Sequence, residues 1–275
     1  MTKYSFLTKE VLQQDYDELG TLSAIGRKYG IPTGSVKSRS RALGVKMNPS
    51  GRCKYTVNED IFDVDSEVGF YIAGFMAADG NVTYDNRSNT SLLCLGIGRK
   101  DKDHLLKIRD AMDFTGPISD YSYFNKSYGK MTDSSWLKVY CSKKVVADIG
   151  KNFNVVPQKT FTYEFPEGII NHNMVRHFIR GYFDGDGSFY ADHLDRGSDC
   201  VCFDLLGTEH FLEIVRNILE RDCNLQSTAM VHKCKNIFRL RYAGNGLVAK
   251  IAAYLYDDST IYLQRKFDKI SHLVM

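Results

Sequence analysis

The sequence predicts an α+β protein: a small all-helical domain followed by two tandem copies of one αββαββα unit. Three observations predict it. A nine-residue box at 72–80 returns at 179–187; Asp79 precedes Lys159, and Asp186 precedes Lys266, by the same 80 residues; and basic charge is concentrated in a helix-patterned first fifth. Of the 275 residues, 43% are hydrophobic, 25% are charged and only 5 are proline, which excludes disordered and collagenous classes.

The first elements are helical. Val11, Leu12, Tyr16 and Leu19 fall at helical spacing, and Gly20 offers a stop. Thr21 then caps a second run with Leu22, Ala24, Ile25 and Tyr29 on one face, broken by Gly30-Ile31-Pro32. Thr33 is expected to cap a third helix running to Leu43-Gly44, which buries Val36 and Leu43 and presents Ser35, Lys37, Ser38, Arg39 and Arg41 without an acid. The short turn before it makes a helix-turn-helix over 1–48, suited to a major groove or a phosphate track. A small bundle with a merely solvated basic face fits the same pattern. Residues 1–58 hold 10 Lys+Arg against 4 Asp+Glu and the remainder 26 against 29, so an anionic partner belongs to the N-terminus. Residues 49–66 read as a linker whose Arg52 and Lys54 track DNA backbone.

The repeat occupies the rest, as units over 67–165 and 166–275. YIAGFMAADGNV at 71–82 answers to FIRGYFDGDGSF at 178–189, SLLCLGIG to CVCFDLLG, and WLKVYCSKKVVADIGKNF at 136–153 to FRLRYAGNGLVAKIAAYL at 238–255. Each copy reads as an apolar helix, two alternating strands, an amphipathic helix, two more strands and a last helix. In the fourth strand, Trp136, Lys138 and Tyr140 alternate with Leu137, Val139 and Cys141; its counterpart sets Arg239 and Arg241 against Phe238, Leu240 and Tyr242. One face of each sheet is therefore apolar and the other basic and aromatic, and two such faces form a groove for DNA.

Each box is an apolar helix ending at Asp-Gly. Gly74 and Gly181 let two such helices approach closely, which would bring Asp79 and Asp186 out at one end. Paired carboxylates there repel each other and the helix dipole unless cations join them, and oxygen ligands suit Mg²⁺. A simple turn after a core helix also explains one box; two boxes with matched lysines favour the site.

These residues resemble the LAGLIDADG homing endonucleases of the single-chain, two-motif type, over about residues 68–275. The resemblance implies a pseudo-twofold αββαββα pair with its motif helices at the interface and a saddle of strands on a long DNA site. It implies a monomeric homing endonuclease of a mobile element that makes a double-strand break by divalent-metal-dependent phosphodiester hydrolysis. Asp79 and Asp186 would be the catalytic metal-binding acids, the carbonyls of Ala78 and Gly185 further metal ligands, and Lys159 and Lys266 the bases that order solvent. Mg²⁺ is the expected cofactor, Mn²⁺ its substitute, and Ca²⁺ a cation that binds without supporting cleavage. Two departures stand out: Ala77 where the second copy has Asp184, and, at the end of the second strand, Gly96 against an auxiliary polar Asp204. They suggest half-sites of unequal rate. A cleavage-inactive transcription regulator or an RNA-binding intron maturase is the alternative, against which both aspartates argue.

No stretch approaches the ~18 apolar residues of a membrane helix, and no secretory pattern opens the chain, so a cytoplasmic protein of a bacterial or phage-infected cell is expected. The 7 cysteines form no C-x-x-C pair and read as reduced thiols.

Overall fold

The computed structural model describes residues 4–19, 21–46, 55–85, 90–126, 129–141, 143–193, 199–226 and 229–274; Arg52 and Lys54 lie outside them. The chain forms two compact units, 1–55 and 56–275.

The first unit holds α1 (Lys9–Leu19), α2 (Leu22–Tyr29) and α3 (Thr33–Ala42) around a core of Leu7, Leu12, Tyr16, Ile25, Ile31, Val36 and Val45. Thr21 caps α2 by accepting from the Ala24 amide at 3.2 Å, and Gly30 ends it in the left-handed region at φ 62°. Thr33 is not a cap. Pro32 holds that position, because its carbonyl already accepts from the amides of Ser35 and Val36. Leu19 points outward, and Asp15 is buried instead, paired with Lys28 at 2.6 Å.

The second unit contains both repeats. The first comprises α4 (Glu67–Ala78), β1 (Gly80–Asp85), β2 (Thr90–Gly98), α5 (Lys102–Ala111), β3 (Ile118–Asn125), β4 (Lys130–Cys141) and α6 (Lys143–Phe153). The second comprises α7 (Val175–Asp186), β5 (Gly187–His193), β6 (Asp199–Gly207), α8 (Glu209–Asp222), β7 (Val231–Cys234), β8 (Ile237–Ala243) and α9 (Asn245–Tyr256), followed by the short helices α10 (Gln264–Phe267) and α11 (Ser271–Val274). The sheets are antiparallel with orders β1-β2-β4-β3 and β5-β6-β8-β7, the tandem pseudo-symmetric fold expected. Apolar residues of alternate register, such as Leu93, Leu95, Leu137 and Val139, then Phe203, Leu205, Leu240 and Tyr242, are buried under the helices. Among the described residues no helix is long and apolar enough to cross a membrane.

Strand pairing corrects two equivalences drawn from letters alone. Gly80 pairs with Leu95 and Gly187 with Leu205, so Asp204 corresponds to Cys94, and Gly96 to Leu206. Leu137 and Leu240 likewise sit opposite those leucines, so Arg239 corresponds to Trp136, and Arg241 to Lys138. A slip of one residue would turn every core side chain outward, so burial overrides resemblance between letters. Gly96 lacks a side chain for a local reason: a Cβ there would come 2.7 Å from the Trp136 ring, which lies over it.

The repeats meet through α4 and α7. A Cβ on Gly74 would overlap the carbonyl of Phe178, and one on Gly181 that of Tyr71, so the helices touch backbone to backbone. Beside this seam, fully buried Arg180 donates to Glu67 at 2.7 Å and to the carbonyls of Leu255 and Ile261 at 2.9 and 3.1 Å. Asp184 accepts from Tyr71 and Tyr256 at 2.8 Å each and from the Leu263 amide at 2.7 Å. Asp184 is thus a structural anchor, and it explains how copy two keeps an acid where copy one has Ala77.

Candidate active site

Both motif helices end at one place. Asp79 follows the last turn of α4 and Asp186 closes α7, and a Cβ on Gly185 would lie 3.5 Å from Asp79 Oδ2. The two aspartates line one cleft of about 400 Å³ with Lys159, Gln158, Tyr182 and Leu206. Their side chains reach solvent, yet among the described residues neither has a hydrogen bond or ion pair. Crowding by protein lifts the Asp79 carboxyl above the ordinary range. Burial first, and the charge of Asp79 second, push that of Asp186 up to about 6.

The sequence-matched lysines come to the same place but are buried. Lys159 Nζ donates to the Gly80 carbonyl at 2.6 Å; Lys266 Nζ donates to those of Phe183 and Gly185 at 2.8 and 2.9 Å. Burial lowers the pKa of both, that of Lys266 to about 8, while the aspartates oppose the shift. The two lysines therefore seat differently: one on the carbonyl after its aspartate, the other on the carbonyl before. Gly185 O, an expected metal ligand, already accepts from Lys266 and keeps one lone pair for a cation. Two unpaired carboxylates beside free carbonyl capacity form an all-oxygen donor set, which fits Mg²⁺ or Ca²⁺. Among the described residues no group of three or more His, Cys, Asp or Glu is placed to hold a metal ion.

Sequence reasoning missed Tyr182. Its hydroxyl makes no hydrogen bond among the described residues and lies 3.1 Å from where Gly207 would carry a Cβ. Burial, then Asp186 and Asp79, hold the phenol neutral. Box alignment puts Phe75 at the matching place, so comparing the two boxes would have exposed this hydroxyl.

The outer sheet faces carry the remaining candidates. On the first, Lys138 Nζ donates to Tyr121 Oη at 3.2 Å and sits 4.9 Å over that ring, with Trp136 and Tyr140 in the same row. On the second, Arg239 bridges Asp204 through Nε at 2.6 Å and also through Nη2, and Arg241 stacks 5.5 Å over Tyr190. Tyr121 and Tyr190 were missed as well, although the alternation of their strands marks them. In the first unit Lys37 and Arg41 are exposed on α3, whereas Arg39 turns back to donate to the Leu7 carbonyl at 3.1 Å.

No family model matches this chain, and no curated protein matches it. Among solved structures it is similar to the homing endonuclease I-WcaI bound to its DNA recognition sequence, with 16% identity over 84% of this chain and 96% of that one and a TM-score of 0.57. The LAGLIDADG homing endonuclease I-LtrWI bound to target DNA is 15% identical over 75% and 89%, with a TM-score of 0.47. The first likeness shows a shared fold.

Proposed function

We propose that the chain is a site-specific DNA endonuclease that cuts both strands of a long duplex site by divalent-cation-dependent phosphodiester hydrolysis, as a homing endonuclease does. The observation that carries this reading is the meeting of unpaired Asp79 and Asp186 in one cleft between two buried lysines. Two carboxylates so placed cost free energy without a cation, and a fold that only bound nucleic acid has no use for them.

Asp79 and Asp186 would hold Mg²⁺, with the carbonyls of Ala78 and Gly185 alongside. The chemistry a divalent cation supplies there is charge stabilisation on the attacking and leaving oxygens of the phosphodiester. Lys266, with its pKa at about 8, keeps its proton at neutral pH and presents a fixed positive charge beside the scissile phosphate. Lys159, held on the Gly80 carbonyl, would flank the same cleft. Tyr182 offers a hydroxyl to solvent or phosphate in the cleft, and its neutral phenol is a donor throughout the working range. Lys138, Tyr140, Arg239 and Arg241 on the outer sheet faces would contact the duplex, and Lys37 and Arg41 of α3 would add phosphate contacts.

A randomised duplex library with Mg²⁺, cut by the native chain, Asp79→Asn and Asp186→Asn, tests the reading. Defined double-strand ends that vanish in both variants, while binding persists in Ca²⁺, are expected. Sequence-specific binding without a cut would assign the chain to the regulator or maturase class instead.

A further inference from the structure

The second sheet carries a device the first lacks. Asp204 grips Arg239 along one edge of the guanidinium, Nε to Oδ1 and Nη2 to Oδ2, and Nη2 donates also to Tyr190 Oη at 3.1 Å. Three of the five guanidinium donors are thereby spoken for, and both Nη1 donors remain. The residues at matching places in the first sheet are Cys94 for Asp204, Trp136 for Arg239 and Thr83 for Tyr190, none of which can build this clamp.

The clamp changes what Arg239 recognises. An unpaired arginine on an open face attracts phosphate at long range. One paired with a carboxylate is close to neutral as a unit, and that carboxylate repels phosphate, so charge attraction fades while directional hydrogen bonding stays. Asp204 is only 14% exposed, so it anchors the pair from beneath while Arg239, at 35%, reaches outward. Held in one rotamer, Arg239 presents Nη1, and Nη2 adds a donor by exchanging Tyr190 Oη for a base acceptor. Paired acceptors on one neutral edge are what guanine shows in the major groove, at O6 and N7.

We propose that Asp204 is a positioning residue that aims Arg239 at one guanine, in the half of the duplex that meets the second sheet. The proposal rests on the DNA-binding reading above and deepens it. The full chain, Asp204→Asn, Arg239→Ala and, for the first sheet, Lys138→Ala are each allowed to select from a random duplex library in Ca²⁺, and the bound fraction is sequenced. The native chain is expected to select a guanine at one base pair that both Asp204→Asn and Arg239→Ala weaken by about tenfold or more. Preferences in the other half-site persist in those two variants, and Lys138→Ala changes that other half instead. Asp204→Asn is isosteric, and its intact preference for the other half-site reports that it is folded. An unchanged guanine preference in Asp204→Asn, or a uniform rise in affinity with no change of sequence, overturns the proposal and leaves the DNA-binding reading standing. A native chain that selects no sequence at all removes both.

Discussion

Gly74 and Gly181 lock α4 against α7: each lies where a Cβ would overlap the opposing helix's backbone carbonyl, at Phe178 and Tyr71 respectively. The seam cannot widen without moving the helix ends that carry Asp79 and Asp186. Gly74→Ala is therefore expected to cost about 1–3 kcal/mol as an overpacking change, read by thermal unfolding followed at the single tryptophan, Trp136. Cleavage should fall further than stability, because the carboxylates part. A variant as stable and active as the native chain would show that the close approach is not required.

Asp184 and Asp186 stand two residues apart and should respond to neutralisation with opposite signs. Asp184→Ala strands the hydroxyls of Tyr71 and Tyr256 and the amide of Leu263, at a cost of about 3–5 kcal/mol. Asp186→Asn removes an unpaired charge that Asp79 repels, and should stabilise the metal-free chain. Urea melts of the two variants side by side decide this; destabilisation by both would assign Asp186 a structural role.

Asp186 should favour the metal-free protein in acid over a narrow window, against the buried His104 and His177, whose pKa values burial lowers to about 4. The native Asp186 carboxyl has its pKa at about 6, against about 3.9 unfolded. Between those values Asp186 holds more proton in the native state than in the unfolded one, so its own contribution to stability falls as pH rises from about 4 to about 6 and then levels off, while His104 and His177 contribute with the opposite sign. Access of solvent to the side chain limits the amplitude. Asp186→Asn should remove that contribution, so that its stability rises more steeply with pH than that of the native chain across this window, and Mg²⁺ should stabilise the native chain above pH 6 by mass action. Parallel profiles for the native chain and Asp186→Asn would contradict the raised Asp186 pKa, which burial first and the charge of Asp79 second produce.

Lys37 and Arg41 stand exposed on α3 while Arg39 is engaged with Leu7, so only the first two are expected to neutralise phosphates. The double variant Lys37→Ala, Arg41→Ala should reduce the slope of log affinity against log salt by about 2. Filter binding over a salt series measures it. An unchanged slope would make the basic face of this helix a solvated surface.

The sequence by itself determined the repeat, the helix–strand order and the two helix-ending aspartates, because each rests on local periodicity and on glycines whose purpose is close packing. The Thr21 cap, the glycine seam and the alternation of Lys138 and Arg239 with core residues were legible for the same reason. Tertiary structure alone decided the rest. Register was settled by burial of Leu137 and Leu240 opposite Leu95 and Leu205, which moved Asp204 from the strand end to a clamp on Arg239. The role of Asp184 as an anchor depended on Tyr256 and Leu263, more than 70 residues away. That Lys159 and Lys266 would be buried on backbone carbonyls, with lowered affinity for protons, followed from the packing around them. Charge, hydrogen-bond partners and desolvation are properties of neighbours in space, and a one-dimensional pattern holds only neighbours in sequence.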